Sequence, residues 1–241
     1  MLRLRSAVVQ EPIHGIDIER VSAWLVDHID GAVAPFEFAL IVGGRSNLTY
    51  TVTDANGVKY VLRRPPTGAV LATAHDMARE HKIISAVGLT EVPVPPALGL
   101  CTDDAVNTAP FYVMGFVDGV VLDSAEKGAA MTPEHRRSAG LHLIDVLADL
   151  HAVDVDAVGL GDLAKREGYV ERQVRRWSAQ WQNSKTRELP AVDEVAQRLA
   201  ERMPVQQGVS IAHGDYRFGN VLTDTSKGRI AAVLDWELCT L

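Results

Sequence analysis

The sequence predicts an α+β chain in two lobes, a small mixed lobe followed by a larger, mainly helical one. Three observations carry this. β-Branched and aromatic residues alternate on both sides of Asp54-Ala55-Asn56-Gly57, an Asn-Gly turn of the kind that closes antiparallel hairpins. Apolar residues at helical spacing then dominate the stretch after residue 133. Finally, 241 residues with 47% hydrophobic composition are enough for two lobes that each bury a core.

The elements follow in order. Residues 17–30 place Ile18, Val21, Leu25 and Ile29 at a helical period, and Gly31 stops the run. From Phe36 to Pro66 the chain reads as strand, glycine-containing loop and hairpin. Met77, Ile83, Ile84 and Val87 mark a helix ended by Gly88. The proline-rich VPVPPALGL is expected to connect this helix to FYVMGFVDGVVL, an apolar strand broken at Gly115 and Gly119. A lobe boundary near 117 divides the chain into 1–117 and 118–241. Pro133 suits a first helical position, and residues 133–151 set Leu141, Ile144, Leu147 and Leu150 on one face. Helices are expected over about 161–185 and 191–203, with Trp177 and Trp181 packing on the neighbouring helix. Two short strands near 221–223 and 230–234 close the chain.

Composition narrows the function. No run of 18 apolar residues occurs, and the opening MLRLRSAVVQEP is too short and too charged for a secretory core, so no membrane partner and a cytoplasmic location are expected. A net charge of −7 argues against a nucleic-acid partner. Cys101 and Cys239 fit no metal spacing and read as buried thiols. One segment opposes the acidic balance, since Gly161–Arg187 holds seven bases against three acids. Such a segment favours an anionic small molecule over a polycation.

The chemistry gathers in residues 211–241. Asp215 and Asn220 stand five apart in a loop, and Asp235 follows the apolar run Ile230–Leu234. Three oxygen-bearing side chains brought together in this way suit a hard cation such as Mg²⁺, held by Asn220 and Asp235 together with substrate phosphates. Asp215 then remains to accept or orient the proton of an attacking hydroxyl, as in phosphoryl transfer. His213 reads as a packing residue that hydrogen-bonds the loop.

His213-Gly214-Asp215-Tyr216-Arg217-Phe218-Gly219-Asn220, followed by Asp235-Trp236, resembles the paired signatures of aminoglycoside phosphotransferase-like kinases. The variant D-Y-R-F-G-N with L-R-R-P-P looks like the kinase-like domains associated with acyl-CoA dehydrogenases. The resemblance implies a two-lobed protein-kinase-like fold and ATP-dependent transfer, with Mg²⁺, to a small-molecule hydroxyl acceptor. It implies Asp215 as base and Asn220 and Asp235 as metal ligands. Gly43, Gly44, Arg45, Ser46 and Asn47 would fall in the loop covering the nucleotide. Arg63 would stand where the family's third strand places the basic phosphate contact, with Glu80 as its acidic partner. Many kinases have Lys at that position, and Arg is a planar fork instead of a point charge. The backbone at Met114 and Phe116 would take the adenine edge.

The resemblance leaves the acceptor open between a hydroxyacyl-CoA or hydroxy acid and an aminoglycoside phosphorylated at a 3′-type position. An ATP-binding pseudokinase is a further alternative. A metal-dependent hydrolase built on the same His and Asp residues would leave the glycine loop and the Arg63/Glu80 pair unexplained. Kinases of this family usually continue well past the D-W motif, whereas six residues follow Asp235 here. A chain truncated at its C-terminal end is therefore the expectation.

Overall fold

The computed structural model describes residues 13–41, 47–68 and 76–241. Helix α1 (Ile18–His28) starts where the Asp17 carboxylate accepts the Arg20 N–H. Its Val21, Trp24 and Leu25 lie buried beneath a five-stranded antiparallel sheet. The strands are β1 (Glu37–Leu40), β2 (Leu48–Thr53), β3 (Lys59–Arg64), β4 (Ala97–Cys101) and β5 (Phe111–Gly115), in the order β1-β2-β3-β5-β4. The expected hairpin is β2–β3, with Thr53 opposite Lys59 and Leu48 opposite Arg64. Buried Asp54 holds its turn by accepting the N–H groups of Asn56 and Val58.

The edge strand β4 departs from the sequence reading, which treats residues 92–100 as a connector. Pro93, Pro95 and Pro96 disguise it, yet they precede the strand, and Pro96 contributes its carbonyl to the Gly115 N–H at 2.8 Å. Helix α2 (Met77–Val87), capped by Asp76, packs Met77, Ile83, Ile84 and Val87 inward.

The second part is mainly helical. A short helix, α3 (Ala125–Ala129), precedes α4 (Pro133–Ala152), which begins at a Thr132 cap with Pro133 in its first turn. The buried face of α4 is Ala139, Val146 and Leu150, whereas Leu141 and Ile144 are 57% and 60% exposed, so the expected face is rotated. Helix α5 (Tyr169–Ser184) starts eight residues later than the spacing suggested, because Gly168 takes a left-handed conformation (φ +64°) before it. Helix α6 (Pro190–Glu201) pairs with α5, and neither buries a residue.

The chain then enters the hairpin β6 (Val221–Asp224) and β7 (Arg229–Val233). His142 of α4 accepts the Ile230 N–H, and Thr223 bridges to Val120. One hydrophobic cluster joins α1 to the sheet. A second runs from Val61, α2 and β5 through α4 to β6, β7 and Trp236. No helix among the described residues is long and apolar enough to cross a membrane.

Candidate active site

The loop before β6 is held by its own side chains. His213, 2% exposed, lies with Nε2 2.8 Å from the Leu234 carbonyl while its Nδ1 accepts the Asp215 N–H at 3.3 Å. A single neutral tautomer, protonated at Nε2, satisfies both. Burial pushes the imidazole below its ordinary pKa, against the pull of the Leu234 carbonyl and of Asp235 and Asp215. The packing role read for His213 is the one observed. Gly214 has φ +89°, and a Cβ there would lie 2.6 Å from the Leu238 carbonyl oxygen, so the position needs glycine twice over.

Asp215 itself is half exposed. The Asn220 amide donates to its Oδ2 at 2.7 Å and to its carbonyl oxygen at 2.9 Å, and Arg217 Nε donates to the same Oδ2 at 3.2 Å. Both Asn220 contacts use its side-chain nitrogen, so neither occupies its side-chain oxygen. The Asn220 carbonyl accepts the Leu234 N–H, which ties the loop to the residue before Asp235. Asp235 stands at φ +64°, and it is the one described residue other than glycine with a positive φ. That turn lifts its carboxylate off the end of β7 toward the opposite lobe.

There it meets Arg63. The guanidinium of this β3 residue, 14% exposed, lies 2.5 Å from Asp235 Oδ1, 3.0 Å from Glu80 Oε2 and 3.8 Å from Glu237 Oε2. Its Nε–H is not aimed at Glu80, so that contact is ionic without being an aligned hydrogen bond. Glu80 also accepts from the Tyr112 hydroxyl at 3.1 Å and from the Asn47 amide at 3.2 Å, and Asn47 reaches Glu237 at 3.3 Å. Burial opposes the Arg63 charge, but Glu80, Tyr112 and Asp235 outweigh it and hold the guanidinium protonated. Burial likewise pushes the Glu80 carboxyl up, while Arg63 and Tyr112 pull it back.

Of the residues read from sequence, Asp215, Asn220, Asp235, Arg63, Glu80 and Asn47 thus converge between the lobes. Gly43, Gly44, Arg45 and Ser46 lie outside the described residues. Met114 is buried opposite Val61, and Phe116, just past β5, is exposed with the Lys59 ammonium 5.3 Å from its ring. Sequence reasoning missed Glu237, Tyr112 and Arg217 as members of the cluster. Glu237 had a signal, two residues beyond Asp235, while Tyr112 had none beyond its place in an apolar strand.

The basic segment is largely spoken for. Arg166 pairs with Asp156, Arg172 binds the Lys165 and Glu167 carbonyls, Arg175 pairs with Glu171, and Lys185 with Glu188. Trp177 is 55% exposed, with the Arg176 guanidinium 5.6 Å from its ring, so it is not the packing residue its spacing suggested. A cavity of about 390 Å³ opens between Tyr169, Met203, Val209 and Leu241, and none of the converging residues lines it. Both cysteines are buried, and burial pushes the Cys239 thiol up to about 12.

An antiparallel sheet with its packed helices, joined to a mainly helical lobe through the cluster of carboxylates around Arg63, defines the protein-kinase-like class. The chain belongs to the phosphotransferase enzyme family, whose pattern it matches over residues 37–241. It is 35% identical over 211 residues to the mouse protein acyl-CoA dehydrogenase family member 10, covering 87% of this chain and 20% of that one. The curated relatives are much longer, with the chain spanning between 20% and 31% of their length. A solved structure of a candidate aminoglycoside phosphotransferase from Ralstonia eutropha superposes with a TM-score of 0.81 at 35% identity, over 93% of this chain and 65% of that one. The GDP complex of aminoglycoside 2′-phosphotransferase-IIIa shares the fold, with a TM-score of 0.66 at 16% identity, over 93% and 74% of the two chains.

Proposed function

We propose that this chain transfers the γ-phosphoryl group of ATP to a hydroxyl of a small molecule, with Mg²⁺. One observation carries the reading. The Asp215–Asn220 loop and the Arg63–Glu80 pair, from opposite lobes, meet at Asp235, which Arg63 contacts at 2.5 Å. A proton acceptor, two oxygen ligands and a buried basic side chain near one another are the parts phosphoryl transfer needs. A division near residue 117 would leave the nucleotide grip in 1–117 and the base and metal ligands in 118–241.

In this reading Asp215 orients the acceptor hydroxyl and takes its proton as the new P–O bond forms. Asn220 holds the Asp215 carboxylate and turns its own oxygen toward the cation. Arg63 is the phosphate contact, positioned by Glu80, which Tyr112 and Asn47 hold in turn. Asn220 and Asp235 would hold Mg²⁺, a hard cation that commonly combines one or two protein oxygens with phosphate oxygens, and it would neutralise charge on the phosphates. The residues present fit that demand. A cytoplasmic location belongs to the same proposal.

For the acceptor we favour a hydroxyacyl-CoA or another hydroxy acid. The name carried by the mouse relative supports this, and so does the cationic surface left at Lys165, Arg176 and Arg187 after the internal pairing. The competing reading, an aminoglycoside, draws on the similarity to the Ralstonia aminoglycoside phosphotransferase candidate. A coupled ADP-release assay over both acceptor classes separates them, and turnover confined to aminoglycosides would overturn the anionic choice. Replacing Asp215 with Asn should abolish transfer and leave nucleotide affinity within about twofold, since only the proton acceptor is lost. Normal turnover by that variant would refute the base assignment, and nucleotide binding without turnover on any acceptor would mark a pseudokinase.

A further inference from the structure

Two neighbouring residues of α2, Arg79 and Glu80, reach the segment 235–239 of the second lobe. Glu80 does so through Arg63, which contacts Asp235 and Glu237. Arg79 does so directly, donating from Nη2 to the Cys239 carbonyl at 2.8 Å. Its own backbone N–H is held by the Asp76 carboxylate at 2.9 Å, so the side chain leaves from the capped first turn of the helix. The receiving segment is fixed as well. The Cys239 N–H donates to the Trp236 carbonyl at 3.0 Å, and Ala212 and Thr240 exchange two backbone hydrogen bonds of 2.8 Å each. Ala212 begins the stretch that leads to Asp215, and Leu238 packs against Gly214 within it.

We infer that Arg79 is a positioning residue, a pin from α2 to the Cys239 carbonyl that keeps Glu80 beside Arg63 once nucleotide has entered. The inference rests on the proposed phosphotransfer. In this structure α2 is bonded to the segment 235–239 at two points, through Glu80 with Arg63 and through Arg79. A helix held at one point can swing about it, whereas two points fix its rotation. Phosphate and metal draw on Arg63 and Asp235, the two sides of the first point, and so compete with the contact between them. The second point uses neither residue. It therefore persists in the loaded site, and the helix stays where Glu80 still orients the Arg63 fork.

This task differs from that of a direct phosphate contact. Arg79 gives its guanidinium to a main-chain carbonyl, so its influence on the nucleotide passes through Glu80. Removing Arg79 should therefore matter only while Glu80 is present. A lysine, which carries a cationic donor on a similar stem, should restore most of the effect.

The test is calorimetric binding of a non-hydrolysable Mg·ATP analogue to the wild-type chain, Arg79→Met, Arg79→Lys, Glu80→Gln and the Arg79→Met, Glu80→Gln double variant. Arg79→Met should lose about fivefold in affinity, the effect of one net hydrogen bond, and Arg79→Lys should stay within about twofold of wild type. In the Glu80→Gln background the added loss from Arg79→Met should fall below about twofold, since two residues acting through one path are not additive. Hydrogen exchange in the presence of the analogue is the second readout. The α2 amides should exchange about tenfold faster in Arg79→Met, with those of α1 unchanged. An equal loss in both backgrounds, no loss in either, no restoration by lysine, or unchanged α2 exchange overturns the inference while leaving the proposed function standing. Failure of the wild-type chain to bind the analogue removes both.

Discussion

His213 and Asp235 are adjusted by opposite means. His213 is kept neutral by burial and by two hydrogen bonds that only one tautomer can make at once. Its folded pKa lies below the ordinary 6.5, so the unfolded chain binds the proton more readily. The stability tied to this residue is therefore present above about pH 6.5 and is lost as pH falls toward the folded value. Urea unfolding of the wild type at pH 7.5 and pH 5.5 should show a larger loss at low pH than His213→Asn, which cannot titrate. A loss of equal size in both proteins would remove His213 as the source. Asp235 is held in a left-handed conformation that costs most residues about 1–2 kcal/mol and that Asp tolerates best after Gly and Asn. The strain is what turns its carboxylate toward Arg63. D-W was legible in the sequence as a motif, but this backbone turn was not, because φ follows from how Trp236 is buried and how Leu234 bonds to Asn220.

At the scale of elements, β3 and α2 meet through an ion pair that is almost dry. Removing one member of a buried pair typically costs about 3–5 kcal/mol, since the survivor keeps its charge without its partner. Asp235 and Glu237 still contact Arg63, so Glu80→Ala should fall near the lower end, about 3 kcal/mol. Glu80→Gln should cost less, because it keeps an acceptor for Tyr112 and sheds a carboxylate that burial disfavours. Chemical denaturation of the two variants checks the order, and a larger loss for Gln would contradict it. The sequence spacing identified the pair but not its surroundings. Tyr112 comes from β5 and Asn47 is the residue before β2, distant segments that the fold brings to Glu80. The same limit explains β4 and α4. Prolines concealed an edge strand whose register partners lie from 10 (Cys101 to Phe111) to 17 (Ala97 to Met114) residues further on, and the apolar stripe of α4 could not say which of its two apolar faces β7 would cover.

For the whole molecule, the main finding is that the two lobes share a core. Val61, α2 and β5 from the first lobe and α4, β6, β7 and Trp236 from the second form one cluster. We therefore expect a single calorimetric transition with van 't Hoff and calorimetric enthalpies in agreement, and two resolved transitions would refute the coupling. Trp236, fully buried in that cluster, should cost about 3–5 kcal/mol when cut to Ala. The residues proposed for the reaction were read from the sequence through the paired H-G-D and D-W signatures and the family they resemble, because a local motif keeps its residue types and spacing together. The α+β class and the hairpin were readable too, since period and turn residues are local properties. Tertiary structure alone decided that Glu237 and Tyr112 join the cluster around Arg63 and Glu80, that Arg217 bonds Asp215, and that three of the seven bases of 161–187 are ion-paired. Each of these is a contact between side chains, and its energy depends on distance and burial that no spacing along the chain encodes.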